Sequence, residues 1–441
     1  VETVLLYALG ILVVVVGLAL SIGLHELGHL IPAKRFGVKV GQYMIGFGPT
    51  LWSRRRGETE YGVKAIPLGG YISMAGMYPP AKVGAGSRTA STGFFDTLVQ
   101  DARDQSAETI GEGDEDRVFY KLSVPKRIVI MLGGPVMNLL IAIVLYAIVL
   151  CGFGINQYST TLGAVNECVV TDVSQTECTD ADPAAPAAEA GLRPGDRLVS
   201  IDGTAVTDWN QASELIRSHP DETIAFVVER DGSEVTLQVT PMLVERQLVG
   251  DDGQGVVDAD GNPVTQEVGF IGVGPATEKV RQPVTAVLPA VWDNTVAVGK
   301  IILTLPQRLV QVGQAAFGGD ERDPNGPISV VGVGRLAGEI TALDAAPVAD
   351  RAAGLIQMLA ALNVALFAFN LIPLLPLDGG HVAGALWEAI RRGFAKLRGR
   401  PDPGPVDIAR LLPLTMVIVA VLAVSSALLI YADIVNPVTL Q

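Results

Sequence analysis

Four stretches of this chain carry no charged side chain and are long enough to cross a lipid bilayer: 4–24, 128–151, 352–377 (with Asp378 just past its end) and 411–432. A helix needs roughly 20 apolar residues to span a ~30 Å hydrocarbon core, and each stretch reaches that length. They concentrate an apolar excess that is global as well: 49% of the 441 residues are hydrophobic and 18% are charged, where a soluble domain carries about 25% charged residues. This balance rules out disorder and argues against a wholly cytosolic protein. The net charge of −14 leaves no basic surface for phosphates, so no nucleic acid is expected as a partner. The first stretch has only Glu2 as a charge ahead of it. It lacks the basic leader of a signal peptide and reads as a span.

Orientation follows from the loops. Segment 34–127 holds 14 Lys and Arg and 391–410 holds six, whereas 153–352 holds 12 against 29 acids. The positive-inside bias puts the two basic segments in the cytosol and the acidic one outside, so spans one and three run inward. The expected organisation is therefore 1–33 as span one, 34–80 as a cytosolic or re-entrant β region, and 81–117 as a flexible polar insert. Span two covers 126–152, followed by an outer β-rich domain at 158–275 and an extracytoplasmic amphipathic segment at 284–351, in which 284–315 is either a fifth span or, as Asp293, Lys300 and Arg308 favour, a surface-lying helix. Span three covers 352–381, a cytosolic basic loop 382–410 and span four 411–432. In the outer domain, β-branched runs flank Asp231-Gly232, a hairpin turn signal, and 209–218 reads as a helix. Cys168 and Cys178, ten apart in an oxidising compartment, are placed for a small disulfide.

The chemistry is signalled at the inner end of span one, by His25-Glu26-Leu27-Gly28-His29. Two histidines four apart share one helix face, so both imidazoles reach a single Zn²⁺, and the glutamate between them is placed to take a proton from water. Ionisable groups at the end of an apolar span are costly and indicate function. Counting back from Lys34 at 1.5 Å per residue puts the metal about 8–14 Å below the cytosolic face. A catalytic zinc takes three protein ligands and leaves one position open. Of the four histidines, His219 lies in the outer domain, which leaves Asp378 and His381 as candidates for the third ligand. Both follow span three, where Pro373 and Pro376 break the helix and Gly379-Gly380 loosen it.

These motifs, in this order, resemble the site-2 protease family of intramembrane zinc metalloproteases, particularly bacterial members of the RseP type. The resemblance extends through Gly69-Gly70-Tyr71, Gly133-Gly134-Pro135 with Asn138, Gly326-Pro327-Ile328-Ser329 and the tract from Asn370 to Asp378. In the outer domain, Gly191-Leu192-Arg193-Pro194-Gly195-Asp196 followed by Ile201-Asp202-Gly203 looks like a PDZ domain. The resemblance implies a polytopic α-helical membrane protein with four transmembrane helices, a membrane-associated β-hairpin region and one extracytoplasmic PDZ-like domain. It implies one Zn²⁺ per chain on His25, His29 and Asp378, with Glu26 as general base. Asn370, Asn138, Gly69, Gly70 and Tyr71 would contact substrate, and Gly191, Leu192, Gly195 and Asp196 would form the PDZ loop. The implied substrates are single-span membrane proteins such as anti-sigma factors, already trimmed by an upstream site-1-type protease, at the bacterial inner membrane. Two departures stand out: two leucines separate Pro373 from Pro376, where the family often has one residue, and only one PDZ domain is visible.

Two other classes fit parts of the pattern. A zinc transporter would also place His and Asp inside the membrane, but needs neither Glu26 nor a PDZ-like module, and internal repeats are absent. A catalytically dead adaptor would have no use for a complete set of ligands plus base.

Overall fold

The computed structural model describes residues 2–79, 94–169, 178–179, 182–248, 262–318, 322–323, 326–343 and 346–438. In chain order the elements are α1 (Glu2–Arg35), β1 (Val40–Arg56), β2 (Thr59–Met74), α2 (Phe94–Glu108) and α3 (Val124–Ala147). There follow β3 (Ile155–Val165), α4 (Pro186–Glu189), β4 (Arg197–Ile201), β5 (Thr204–Ala205), α5 (Trp209–Arg217), β6 (Ile224–Arg230), β7 (Ser233–Val239), β8 (Met242–Gln247), β9 (Thr265–Phe270) and β10 (Val273–Val280). The chain ends with α6 (Val287–Gly318), α7 (Val330–Ala342), α8 (Val348–Asn370), α9 (Asp378–Leu397) and α10 (Leu412–Val435). It divides into a helical unit, 1–153 with 282–441, and a β unit, 154–281.

In the helical unit, α1 packs on α3, α7 and α8. Its closest approach to α3 is made by Gly28 against Gly133, where a Cβ on either glycine would collide with the other's carbonyl. Lipid tails are as apolar as leucine side chains, so helices in a bilayer associate where small residues let backbones touch. Among the described residues, five helical segments are long and apolar enough to cross a membrane, the one containing α6 being additional to the four expected. Gln282 N–H donates to Leu150 O beyond the end of α3 (2.8 Å), and Asn436 Nδ2 at the end of α10 donates to Ala315 O in α6 (3.3 Å).

Three expectations are refined. The helix of the expected third span, α8, stops at Asn370, and after a turn Asp378 opens α9, because Pro373 and Pro376 cannot continue the ladder. The stretch 382–410 is helical as far as Leu397 instead of being a loop. Within 81–117, residues 81–93 lie outside the described residues, while the rest, expected to be flexible, contains α2 and is tied down by ion pairs. Arg103 pairs with Asp407, Lys39 with Asp114 (2.6 Å) and Arg117 with Glu58 (2.8 Å).

The two long strands β1 and β2 fold back on themselves. Residues 40–45 pair with 70–74 on one side and with 60–63 on the other, and residues 50–56 then pair with 59–64. Among the described residues, 70–74 are paired on one side only, so this run is an edge.

The β unit is an antiparallel sheet in the order β10-β3-β4-β6-β7, with β5 on β4, and a separate β8-β9 pair. Leu162, Leu198, Ile201, Phe226 and Val228 form its core with Ala212 and Ile216 of α5. Asp231-Gly232 makes the two-residue turn between β6 and β7 with both residues at positive φ (51° and 78°), the twist a tight hairpin requires. Cys168 and Cys178 are disulfide-bonded. In the 191–196 loop, Leu192 sits in the core, and Asp196 accepts from Arg193 N–H (2.8 Å) and from Arg230 Nε and Nη2 (2.7 Å each). Burial alone would push the Asp196 carboxyl up, but the Arg230 guanidinium and the Arg193 amide outweigh it and hold it below the usual range.

A depressed folded value means the pair stabilises fully above the unfolded value near 3.8 and loses its effect as pH falls through the folded one. Asp196→Ala is expected to destabilise this unit by about 2–4 kcal/mol at pH 7. The gap from wild type should shrink below about pH 4. Urea unfolding of the full chain with Trp52, Trp292 and Trp387 replaced by phenylalanine, followed by Trp209 fluorescence at both pH values, checks it; an equal gap at pH 7 and pH 3 would contradict the pairing.

Candidate active site

The last turns of α1 bring His25, Glu26 and His29 into the protein, each 9% exposed or less. The His25 and His29 Nε2 atoms are 3.2 Å apart, and each lies 3.3 Å from Asp378 Oδ2. Asp378 is the first residue of α9, where the helix's unpaired N–H groups favour an anion. Of the two candidates for third ligand, Asp378 joins the imidazoles in the metal-capable group found among the described residues, and His381 does not.

The residues fit a zinc ion on four counts. Two imidazole nitrogens and a carboxylate oxygen, the usual donors of a catalytic zinc, converge within 4.8 Å. Asp378 Oδ2 is buried with no hydrogen-bond donor. His29 Nδ1–H donates to Ile130 O of α3 (2.7 Å), which fixes the tautomer that turns Nε2 toward a metal. A Cβ on Gly134 would lie 2.6 Å from His25 Nε2 and closer still to His29 Nε2, so a glycine keeps the space in front of the donors open. Gly134→Ala is accordingly expected to weaken zinc binding by about 100-fold. Metal analysis of the purified protein after dialysis against a chelator measures it, and full retention of zinc would contradict this placement.

Glu26 meets the β edge. A Cβ on Gly70 would sit 3.0 Å from Glu26 Cγ, so the 70–74 strand runs directly past this carboxylate. Beside it, Gly69 adopts φ 121° against the Phe47 ring, and Tyr71 stacks on Phe47 (6.4 Å) while its hydroxyl donates to Gln42 Oε1 (3.1 Å). Tyr43 O–H donates to Gly23 O (2.6 Å), fastening this sheet to α1. Asn370 ends α8, with Nδ2 donating to Leu366 O (3.0 Å). Asn138 is placed differently, fully buried one turn beyond Gly134 with both amide atoms unpaired. Gly191, Leu192, Gly195 and Asp196 belong to the β unit described above.

The sequence reading missed the Ile130 carbonyl, the open face of Gly134 and the contact of Gly70 with Glu26. Each of the two glycines did lie in a Gly-Gly motif, Gly133-Gly134 and Gly69-Gly70, that carries the family resemblance. A backbone carbonyl leaves no mark in sequence at all.

The model for Peptidase family M50 matches residues 13–401. The chain belongs to peptidase family M50, the site-2 proteases. Zinc metalloprotease Rip1 of Mycobacterium tuberculosis (strain H37Rv) is 38% identical over 447 residues, covering 99% of this chain and 100% of that protein. The protein of the same name from Mycolicibacterium smegmatis is 35% identical over 453 residues, with the same coverage. Metalloprotease MmpA of Caulobacter vibrioides is 31% identical over 386 residues, 85% of each chain. This M50 protein is a zinc metalloprotease and a multi-pass membrane protein, and His25, His29 and Asp378 are able to hold its metal.

Proposed function

We propose that this protein hydrolyses peptide bonds within the membrane-spanning segments of single-span proteins, anti-sigma factors among them, after an upstream protease has trimmed their outer domains. The observation that carries this reading is the buried cluster of two imidazoles, a carboxylate and Glu26 at the inner end of the apolar helix α1. Zinc held there acidifies water and polarises a carbonyl. Glu26 is the base that takes the proton and passes it to the leaving amine. Asp378 and the two histidines hold the metal, with Ile130 O keeping His29 oriented.

A helical substrate hides its carbonyls in its own hydrogen bonds. The unpaired edge at 70–74 offers an exchange, strand bonds for helix bonds, next to Glu26. Single proline substitutions through 69–73, at positions whose N–H faces away from β1, are expected to lower cleavage of a helical substrate by at least about ten-fold. Unchanged rates would remove strand pairing from the mechanism.

In this reading the active site lies toward the cytosol and the β unit outside, as a PDZ-like filter that excludes substrates with large outer domains. The disulfide in that unit supports an oxidising compartment. Helix α6 is a surface-lying segment, which leaves four spans. Its two ends adjoin the ends of α3 and α10, which the loop charges put on the same side. The test is mass-spectrometric mapping of the products from a reconstituted single-span substrate. Cuts inside the apolar segment are expected, and cuts confined to its soluble flanks would refute the reading.

A further inference from the structure

Helix α9 presents its apolar face outward and its ionic face inward. Leu386, Trp387, Ile390, Phe394 and Leu397 are between 48% and 83% exposed, and at 100° per residue they share an arc of about 100°. On the opposite side, Glu388 is fully buried, held by Arg127 of α3 (2.5 Å), by Arg392 (3.0 Å) and by Val406 N–H (3.0 Å). A helix facing water has the reverse arrangement, and so large an apolar face marks contact with lipid or a partner.

Charge and direction favour lipid. Arg391 and Arg398 border the apolar arc on one side and Lys396 on the other, and α9 carries no acid except Asp378 and Glu388. An apolar stripe between basic flanks fits acyl chains beneath anionic headgroups. The helix also crosses the bundle. Asp378 meets His29 near Ile130, and Glu388 meets Arg127. That is about 15 Å of travel along α9 against about 4.5 Å along α3. The helix therefore crosses α3 steeply, as one lying along the membrane surface would.

We propose that α9 is an interfacial helix docked on an anionic bilayer surface, and that this docking steadies Asp378 at its N-terminus in the metal site. It assumes the membrane setting of the proposed function, but its test requires no cleavage.

The full chain with Trp52, Trp209 and Trp292 replaced by phenylalanine leaves Trp387 as the fluorescent probe, in nanodiscs of phosphatidylcholine with or without phosphatidylglycerol. Zinc content is measured first, to show that the replacements leave the site intact. Brominated acyl chains are expected to quench Trp387, and aqueous acrylamide to spare it. Acrylamide quenching without bromine quenching would overturn the proposal in favour of water or a protein partner. The triple variant R391Q/K396Q/R398Q in anionic discs is expected to show the weaker bromine quenching that wild type shows in neutral discs; unchanged quenching would overturn the anionic assignment. Zinc affinity, by chelator competition, is expected to be up to about ten-fold tighter in anionic than in neutral discs. Equal affinity would overturn the link to Asp378.

Discussion

Glu26→Gln is expected to lower kcat/KM for a single-span substrate by about a thousand-fold or more while zinc content stays at one per chain. The replacement keeps the size of the side chain, so its packing against Gly70 survives. What disappears is the proton acceptor. A thousand-fold loss corresponds to about 4 kcal/mol of transition-state stabilisation, within the range of a positioned base. The ligands His25, His29 and Asp378 are untouched by the change. Cleavage rates and metal content, measured on the same purified sample, separate a lost base from a lost metal. A transporter or an inert adaptor predicts no cleavage by either protein.

Asp378→Ala is expected to have the larger effect on the metal itself. It removes the carboxylate of the metal-capable group found among the described residues and leaves two imidazoles, too few for a catalytic zinc site. Zinc should fall to under about a tenth of an equivalent after dialysis, with proteolysis lost alongside. His381→Leu is the matched control. That histidine lies one turn along α9 from Asp378 but outside the converging donors, so zinc should stay bound. If His381→Leu loses the metal and Asp378→Ala keeps it, the ligand assignment is reversed.

The long apolar helices were legible because charge is costly in hydrocarbon, so uncharged runs such as 128–151 announce themselves without tertiary information. The two histidines were legible because their four-residue spacing alone puts them on one helix face. The turn at Asp231-Gly232 was legible because its backbone demands those residues. Spacing alone left the third ligand open between Asp378 and His381, which occupy the same tract; the family resemblance pointed to Asp378, and the way the chain folds after Asn370 turns that carboxylate toward the imidazoles.

Long-range pairing hid the rest. Arg127 and Glu388, 261 residues apart, and the Arg103–Asp407 pair join segments that read separately as the start of a span, a polar insert and a loop. The doubling of β1 and β2 was equally silent, since one strand can pair on both sides without any change in its alternation. Length and composition did not settle α6 either, because a long apolar helix satisfies the same criteria whether it crosses a membrane or lies on it.

X-ray absorption at the zinc edge of the purified, full-length protein tests the central claim most directly. It should report one zinc per chain, with two imidazole nitrogens and a carboxylate oxygen at about 2.0–2.2 Å, and the Asp378→Ala protein should lack that signal. A spectrum without two histidines, or an unchanged spectrum from the Asp378→Ala protein, would contradict the account.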